Sequence, residues 1–163
     1  MIEKTEIPMS TPSPRPPWSV CSCHALFETD VRKVWPLLAD FKTLPSLVPD
    51  VESCVVDGEG VGLTRELKFT DGKVVNELLI VNHPELYRLS YSMNDPAPFP
   101  WKHYFCTQQL QSLGAGRTHF LYTGYCHPNG ASEAEVLDSL KGFYHAVFEG
   151  IGRVLGAKVS IFA

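Results

Sequence analysis

The sequence lacks several features that would point to common classes of protein. No apolar run approaches the roughly 18 residues of a membrane-spanning helix. No basic cluster is longer than Arg32-Lys33 and the formal net charge is −4, so we expect neither nucleic acid nor an anionic membrane as a partner. The first 17 residues contain no apolar run that would indicate a secretory signal peptide. The five cysteines are therefore expected to be reduced thiols in a cytoplasmic protein.

Motifs of metal and nucleotide sites are also missing. The six histidines show no HxH, HxxxH or HExxH spacing. Cys21, Cys23 and His24 form a lone CxCH with no second cluster. No GxSxG elbow or phosphate loop is present, and the glycine-rich stretch 58–62 joins two predicted strands instead of a strand and a helix. The sequence therefore predicts no metal site and no cofactor.

Length and composition predict one globular domain preceded by an arm. The chain has 163 residues, of which 44% are hydrophobic, enough for a single core. Residues 1–17 combine Ser and Thr with five prolines and are expected to be a disordered or extended arm. Residues 18–163 are expected to form a single ligand-binding domain.

Hydrophobic periodicity predicts a strand, two short helices and then six further strands. The first strand spans residues 18–28, and the first helix begins at Thr29-Asp30 and ends near Asp40. Pro36 inside that helix should make it short or bent, and a second helical turn covers residues 43–48. The remaining strands, separated by Gly, Pro, Asn or Asp, are predicted at residues 50–57, 61–69, 73–82, 87–93, 101–113 and 117–127.

The last element is a long amphipathic helix. Ser132 and Glu135 have the spacing of a capping box, and the helix is predicted to run to about Lys158. Its expected buried stripe consists of Val136, Leu140, Phe143, Tyr144, Val147, Ile151, Val154 and Leu155. The pattern predicts an α+β fold in which a curved, seven-stranded antiparallel sheet wraps around this helix and leaves an internal cavity.

A charged pair is predicted on the inner face of the sheet. Leu63, Arg65 and Leu67 alternate on one apolar face. A two-residue turn at Asp71-Gly72 would place Glu66 opposite Glu77, which like-charge repulsion disfavours. A three-residue loop with Gly72 in the left-handed region instead pairs Arg65 with Glu77. We expect the second register, and a buried ion pair on the concave face implies a cavity beside it.

Three further polar side chains are expected to face the cavity. Tyr91 lies on an apolar strand face, and Tyr104 and Gln108 share one face of the next long strand. Two sets of residues are candidates for the inner face of strand 117–127. Alternation favours His119, Leu121, Thr123 and Tyr125, whereas a bulge would exchange this set for Phe120 and Tyr122.

Several segments, read in order, resemble the START/Bet v 1 helix-grip superfamily in its polyketide cyclase/dehydrase-like branch. They are residues 34–41, 60–65, 76–79, 89–92 and 142–144, and the resemblance extends from about His24 to Lys158. In this superfamily an Arg and a Glu of adjacent strands face the cavity, in agreement with the register argued from charge. The plant abscisic acid receptors in the superfamily have a long gate loop and a Lys before the second strand, whereas this chain has a short turn and Val48.

The resemblance implies two possible functions. The first is a cofactor-independent cyclase, dehydratase or isomerase acting on a largely apolar metabolite, with Glu77, Arg65, Tyr104 and Tyr91 as catalytic candidates. The second is a carrier or sensor of a small hydrophobic ligand, as a monomer or homodimer. The short gate turn and the phenols around an apolar cavity favour the enzyme. Expected ligand contacts are Leu63, Leu67, Leu79, Leu89, Met93, Gln108, Leu121, Thr123, Tyr125, Phe143, Tyr144 and Val147.

Overall fold

The computed structural model describes residues 17–162 and contains the predicted elements in the predicted order, with one strand added. A single 3₁₀ turn, Pro84–Leu86, precedes the fifth strand. The predicted arm lies outside the described residues except for Pro17. The elements are β1 (Ser19–Phe27), α1 (Val31–Ala39), α2 (Leu44–Leu47), β2 (Val51–Asp57), β3 (Thr64–Phe69), β4 (Val74–His83), β5 (Arg88–Met93), β6 (Trp101–Gly114), β7 (Arg117–Pro128), α3 (Glu133–Leu155) and β8 (Val159–Phe162).

The sheet has eight strands, one more than predicted, because the final helix ends early. Gly156 adopts a left-handed conformation with φ of 60° and caps α3, whereas the sequence suggested that the helix reaches Lys158. The chain then turns back to form β8, which pairs with β1 from Phe27–Val159 to His24–Phe162. The strand order is β2-β3-β4-β5-β6-β7-β1-β8, with antiparallel neighbours throughout.

Helix α3 packs on the concave face of the sheet and supplies much of the core. Its buried residues largely match the predicted stripe, but Phe148 is fully buried whereas Val154 is 46% exposed. The capping box is present, since the Ser132 hydroxyl accepts from the Glu135 N–H and the Glu135 carboxylate accepts from the Ser132 N–H. These contacts fix the residue at which helix α3 begins.

The two short helices cover one end of the curved sheet. Asp30 caps α1 by accepting a hydrogen bond from the Arg32 N–H, as predicted, and the helix stops at Asp40 after only nine residues. Helix α2 packs closely against α3 at Gly150. A Cβ at this position would lie only 2.1 Å from the Leu47 carbonyl oxygen. The absence of a side chain at Gly150 therefore permits this approach.

The register of β3 and β4 confirms the three-residue loop. Arg65 pairs with Glu77 and Leu67 with Val75. The Phe69 N–H donates to the Lys73 carbonyl oxygen, and Gly72 has a φ of 88°, as this loop requires. Arg65 and Glu77 consequently lie side by side on the inner face.

The favoured face of β7 was wrong, and the alternative set is the inner one. Phe120 and Tyr122 are fully buried, whereas Leu121 is 37% exposed. On the outer face Tyr125 stacks on Phe105, with ring centroids 4.6 Å apart, and Thr123 exchanges a hydrogen bond with Ser22. The physical reason is the pairing of Cys23 with Tyr122, because the inner face of β1 carries its apolar side chains. Leu121, Thr123 and Tyr125 therefore do not face the interior.

Candidate functional site

The centre of the candidate site is the buried ion pair between Arg65 and Glu77. The Arg65 Nε lies 2.6 Å from a Glu77 carboxylate oxygen, and the side chains are only 6% and 5% exposed. The guanidinium also donates to the Phe41 carbonyl oxygen at 3.3 Å. Its flat faces are covered, because Cζ lies 4.1 Å from the Phe41 ring centroid and 5.0 Å from that of Tyr91. The pair is thus rigidly held and removed from solvent.

Burial has opposite consequences for the two charges. Loss of hydration raises the pKa of Glu77 above its ordinary value, while Arg65 acts in the opposite direction. For Arg65, burial would lower the pKa, but the adjacent Glu77 carboxylate more than compensates and raises it. Arg65 therefore stays charged, and Glu77 is a carboxylate whose affinity for a proton exceeds that of an exposed glutamate.

Glu77 forms part of the wall of a small cavity, here called the front cavity. Its volume is about 90 Å³, and it lies between strands β3 to β6 and helix α3. The lining is mostly apolar and aromatic, with Glu77, Tyr104 and Ser139 as its polar members. The remaining lining residues are Leu67, Phe69, Met93, Phe99, Trp101, Leu140 and Phe143. An apolar cavity with a few convergent polar groups is typical of a small-molecule site.

Two pairs of buried tyrosines extend from this cavity into the core. The Tyr104 hydroxyl is 2.8 Å from that of Tyr144, and the hydroxyls of Tyr91 and Tyr122 also share a hydrogen bond. The pairs touch, because the rings of Tyr122 and Tyr144 stack with centroids 3.8 Å apart. Burial raises the pKa of all four phenols well above the ordinary value. These hydroxyls are therefore neutral hydrogen-bond donors and not bases.

Gly124 makes room for one of these hydroxyls. A Cβ at this position on β7 would stand 1.8 Å from the Tyr144 oxygen and 3.1 Å from a ring atom of Tyr104. Only glycine therefore leaves Tyr144 free to reach Tyr104.

A second, smaller space lies behind the ion pair and is here called the rear compartment. Arg65, Tyr91 and Gln108 line it, together with apolar residues of α1, α2 and α3 that include Val147. Its volume is about 20 Å³, which is room for about one water molecule. Arg65 and Glu77 thus face different spaces.

The predicted site residues are consequently divided among four locations. Glu77, Tyr104, Leu67, Met93 and Phe143 line the front cavity. Arg65, Tyr91, Gln108 and Val147 line the rear compartment. Leu79, Leu89 and Tyr144 are buried in the core and Leu63 packs against it, whereas Leu121, Thr123 and Tyr125 lie on the outer face of the sheet.

The sequence analysis missed several lining residues, chiefly Trp101 and Phe99. Trp101 and Tyr104 are three positions apart, so strict alternation would place them on opposite faces of β6. They share the inner face because the pairing of β6 with β7 is irregular between Lys102 and Phe105, where His103 has a φ of 56°. The prolines of the Pro98-Phe99-Pro100 segment indicate a loop before β6, but they do not indicate the direction in which the Phe99 side chain points.

Residues 17–162 contain neither a cluster of metal-ligating side chains nor an apolar helix of membrane-spanning length. No group of three or more His, Cys, Asp or Glu side chains there has an arrangement that could hold a metal ion. In the same residues, no helix has the length and apolar character needed to cross a membrane.

Comparison with known proteins assigns the chain to a family. A family model described as polyketide cyclase / dehydrase and lipid transport matches residues 25–156. The chain belongs to this family. The match includes both members of the ion pair and all residues that line the front cavity. The helix-grip fold expected from the resemblance is thereby confirmed, with eight strands in place of seven.

Similar experimental structures share the fold at low sequence identity. The XoxI protein of Bacillus cereus is 23% identical, with a TM-score of 0.76 over 83% of this chain and 94% of that one. Norcoclaurine synthase of Thalictrum flavum, in complex with dopamine and hydroxybenzaldehyde, is 17% identical, with a TM-score of 0.69 over 85% and 86%. The ZhuI aromatase/cyclase of Streptomyces sp. R1128 is 17% identical, with a TM-score of 0.67 over 84% and 96%. No curated protein matches the chain.

Proposed function

We propose that the chain is a cofactor-independent enzyme that promotes cyclisation, dehydration or isomerisation of a small, largely apolar metabolite in the front cavity. The observation that carries this proposal is the presence of Glu77 and Tyr104 in the wall of one apolar cavity. A buried carboxylate and a neutral phenol are a base and a hydrogen-bond donor, which proton transfer next to a carbonyl group requires.

In the proposed step, Glu77 removes a proton from a carbon adjacent to a substrate carbonyl. The electron pair of the C–H bond moves toward the carbonyl, and the Tyr104 hydroxyl donates a hydrogen bond to the oxygen as it gains negative charge. Return of the proton to another carbon, loss of hydroxide as water, or attack on a second carbonyl then gives isomerisation, dehydration or cyclisation. Arg65 does not line the cavity and serves to hold the Glu77 carboxylate in place.

The electrostatics of the site support these roles. Burial raises the pKa of Glu77, which makes it a stronger base than an exposed glutamate. Burial also keeps Tyr104 protonated, and Tyr144 at 2.8 Å orients its hydroxyl. The family description and the cyclase and synthase among the similar structures favour this kind of chemistry.

One observation favours a second function, a non-catalytic carrier or sensor of a small hydrophobic ligand. Glu77 is already bonded to Arg65 at 2.6 Å, which a purely structural ion pair would also show. In that case the front cavity would bind the apolar part of a ligand, and Glu77 and Tyr104 would anchor a polar end without turnover.

The Glu77→Gln variant separates the two functions. The amide keeps the shape of the side chain but loses its basicity, so turnover should fall by roughly 100-fold or more while ligand binding changes far less. Candidate substrates come from the gene neighbourhood or from mass spectrometry of co-purified material. Circular dichroism checks that the variant is folded.

Tyr104→Phe is the companion variant, since it removes only the hydroxyl that faces the cavity. It should lower turnover with little change in the amount of ligand bound. Full turnover by a folded Glu77→Gln protein would exclude Glu77 as the base. A wild-type protein that binds its ligand tightly and never converts it would establish the carrier.

A further inference from the structure

An open groove lies outside the front cavity, between the β3–β4 turn, the segment before β2 and helix α3. Its volume is about 440 Å³. Asp50 and Asp71 lie at its rim on the sheet side, and Gly142 and Ala146 form its floor on α3. A Cβ added at Gly142 would meet no atom within 4 Å, so this stretch of the helix surface is open.

The groove and the front cavity share a wall. Phe69, Ser139 and Phe143 line both spaces. The Phe69 ring centroid lies 6.5 Å from that of Phe143 and 5.7 Å from that of Phe99. Phe69 and Phe143 are half-buried, in contrast to the fully buried aromatic residues deeper in the core. Two aromatic side chains with one side toward the groove therefore divide the inner space from the outer one.

The volumes indicate that the front cavity alone does not hold a whole ligand. The front cavity, at about 90 Å³, is smaller than the roughly 150 Å³ of an engineered apolar cavity that binds benzene. A ring that reaches Glu77 therefore requires a rotation of Phe69 or Phe143, which joins the front cavity to the groove. Ordinary small-molecule sites occupy roughly 300–1,000 Å³, a range that the front cavity reaches only when it is joined to the groove.

We propose that the front cavity and the groove are two parts of one elongated binding site, divided by Phe69 and Phe143. The ring of the ligand lies beside Glu77, and a hydroxylated or amine-bearing chain attached to the ring lies in the groove. This inference rests on the proposed function, because it takes the front cavity as the place of the reacting ring.

The polar groups of the groove define the chemistry of that chain. The groove carries the carboxylates of Asp50 and Asp71 and the hydroxyls of Thr70 and Ser139. Lys73 already neutralises Asp71, which leaves Asp50 to attract an ammonium group or accept from a hydroxyl. A carboxylate at the end of the chain would be repelled, so the groove selects neutral or cationic chains.

Four phenols with the same ring test this arrangement: 4-ethylphenol, 4-(2-hydroxyethyl)phenol, 4-(2-aminoethyl)phenol and 3-(4-hydroxyphenyl)propionate. Binding is followed by NMR, with the Trp101 indole N–H reporting on the cavity and the Gly142 amide on the groove. The hydroxyl and amine compounds should bind about tenfold tighter than 4-ethylphenol, as one charge-assisted hydrogen bond would give. The carboxylate compound should bind most weakly.

Gly142→Phe fills the groove, and Gly142→Ala is its matched control. With Gly142→Phe the advantage of the hydroxyl and amine chains should disappear, while 4-ethylphenol binds as to the wild type. Gly142→Ala should preserve the advantage. Both variants should keep the melting temperature at or above that of the wild type, because the added side chain replaces glycine inside a helix.

The outcomes separate this inference from the proposed function. If all four phenols shift the Trp101 signal with equal affinity, the groove takes no part in binding and the proposed function stands. Equal weakening of 4-ethylphenol and the longer compounds by Gly142→Phe would also overturn the division into two parts. If no phenol shifts the Trp101 signal, the front cavity is not a ring-binding site and both proposals fail.

Discussion

The two halves of the space inside the curved sheet are filled in opposite ways. In the half beneath β1 and β7, the rings of Phe27 and Phe120 each pack edge to face on Phe148. These three residues, Cys23 and Ala25 are completely buried. In the half beneath β3 to β6, the interior contains an ion pair, paired phenols and two cavities. The first arrangement favours stability, whereas the second leaves space beside charged and polar groups.

This difference indicates where function is located. Buried charges and unfilled volume both lower stability, and they occur together in the same half of the molecule. A fully packed interior would serve a structural protein better. The packed half can hold the fold while the other half retains the groups that a ligand needs.

Substitutions in the ion pair should change the free energy of unfolding most. Arg65→Met should lower the free energy of unfolding by about 3–5 kcal/mol, because it leaves the Glu77 carboxylate buried without its cation. The double variant Arg65→Met, Glu77→Leu should recover most of this loss, since it removes both charges. Urea denaturation followed by circular dichroism measures each value.

An exposed pair provides the control. Lys68 and Glu52 form a salt bridge at 2.8 Å with both side chains about half exposed, so Lys68→Met should change stability by less than about 1 kcal/mol. A double variant as unstable as Arg65→Met alone would contradict this account. It would show that the polar half depends on the shape of these side chains and not on their charges.

The sequence allowed much of this polar half to be predicted, because charge is informative about register. Glu66 opposite Glu77 is unfavourable, so only one loop length remained, and the observed pairing of Arg65 with Glu77 follows. The capping box at Ser132 and the Asp30 cap are equally local signals, and both helices begin where these residues predict.

Long-range packing explains the errors. Both faces of β7 carry aromatic residues, and alternation alone favoured the wrong set. Pairing with β1 decides the face, because Tyr122 lies opposite the buried Cys23 and Gly124 then faces the Tyr144 hydroxyl of α3. The bulge at His103 that brings Trp101 to the cavity has no local signature. Strand β8 was missed because the helix was extended past Gly156 to about Lys158, and because the pairing of Val159 and Ile161 with β1 joins residues far apart in the sequence.

Smaller changes in stability are expected at Gly124, which is closely packed, and at Gly142, which faces open space. Gly124→Ala should lower the free energy of unfolding by about 1–3 kcal/mol, because the new methyl group collides with the Tyr144 hydroxyl. Gly142→Ala should raise it by about 0.5–1 kcal/mol, because its Cβ meets open space and alanine favours the helix.

Gly124→Ala also tests whether the phenol pair has a catalytic role. It should separate the hydroxyls of Tyr104 and Tyr144 and so lower turnover. Wild-type stability in Gly124→Ala would mean that Tyr144 can retract without cost, and the closely packed phenols would then be looser than their 2.8 Å contact indicates.

The smallest expected effect concerns the thiol of Cys106, which lies among the buried tyrosines. Burial raises its pKa from 9.0 to about 12. Because the thiolate is the reactive form, Cys106 should not react with Ellman's reagent at pH 8 until denaturant is added. Cys54 is only partly buried, whereas the other four cysteines are buried, so it should react first.

The raised pKa also predicts how stability changes with pH. The folded protein holds the Cys106 proton more tightly than the unfolded chain, so this contribution to stability is complete below pH 9 and is lost as the pH rises toward 12. The difference in unfolding free energy between the wild type and Cys106→Ala should therefore be constant from pH 6 to 8 and shrink above about pH 9. A difference that stays constant to pH 11 would show that water reaches this thiol, and the tyrosine cluster around it would then be hydrated instead of dry.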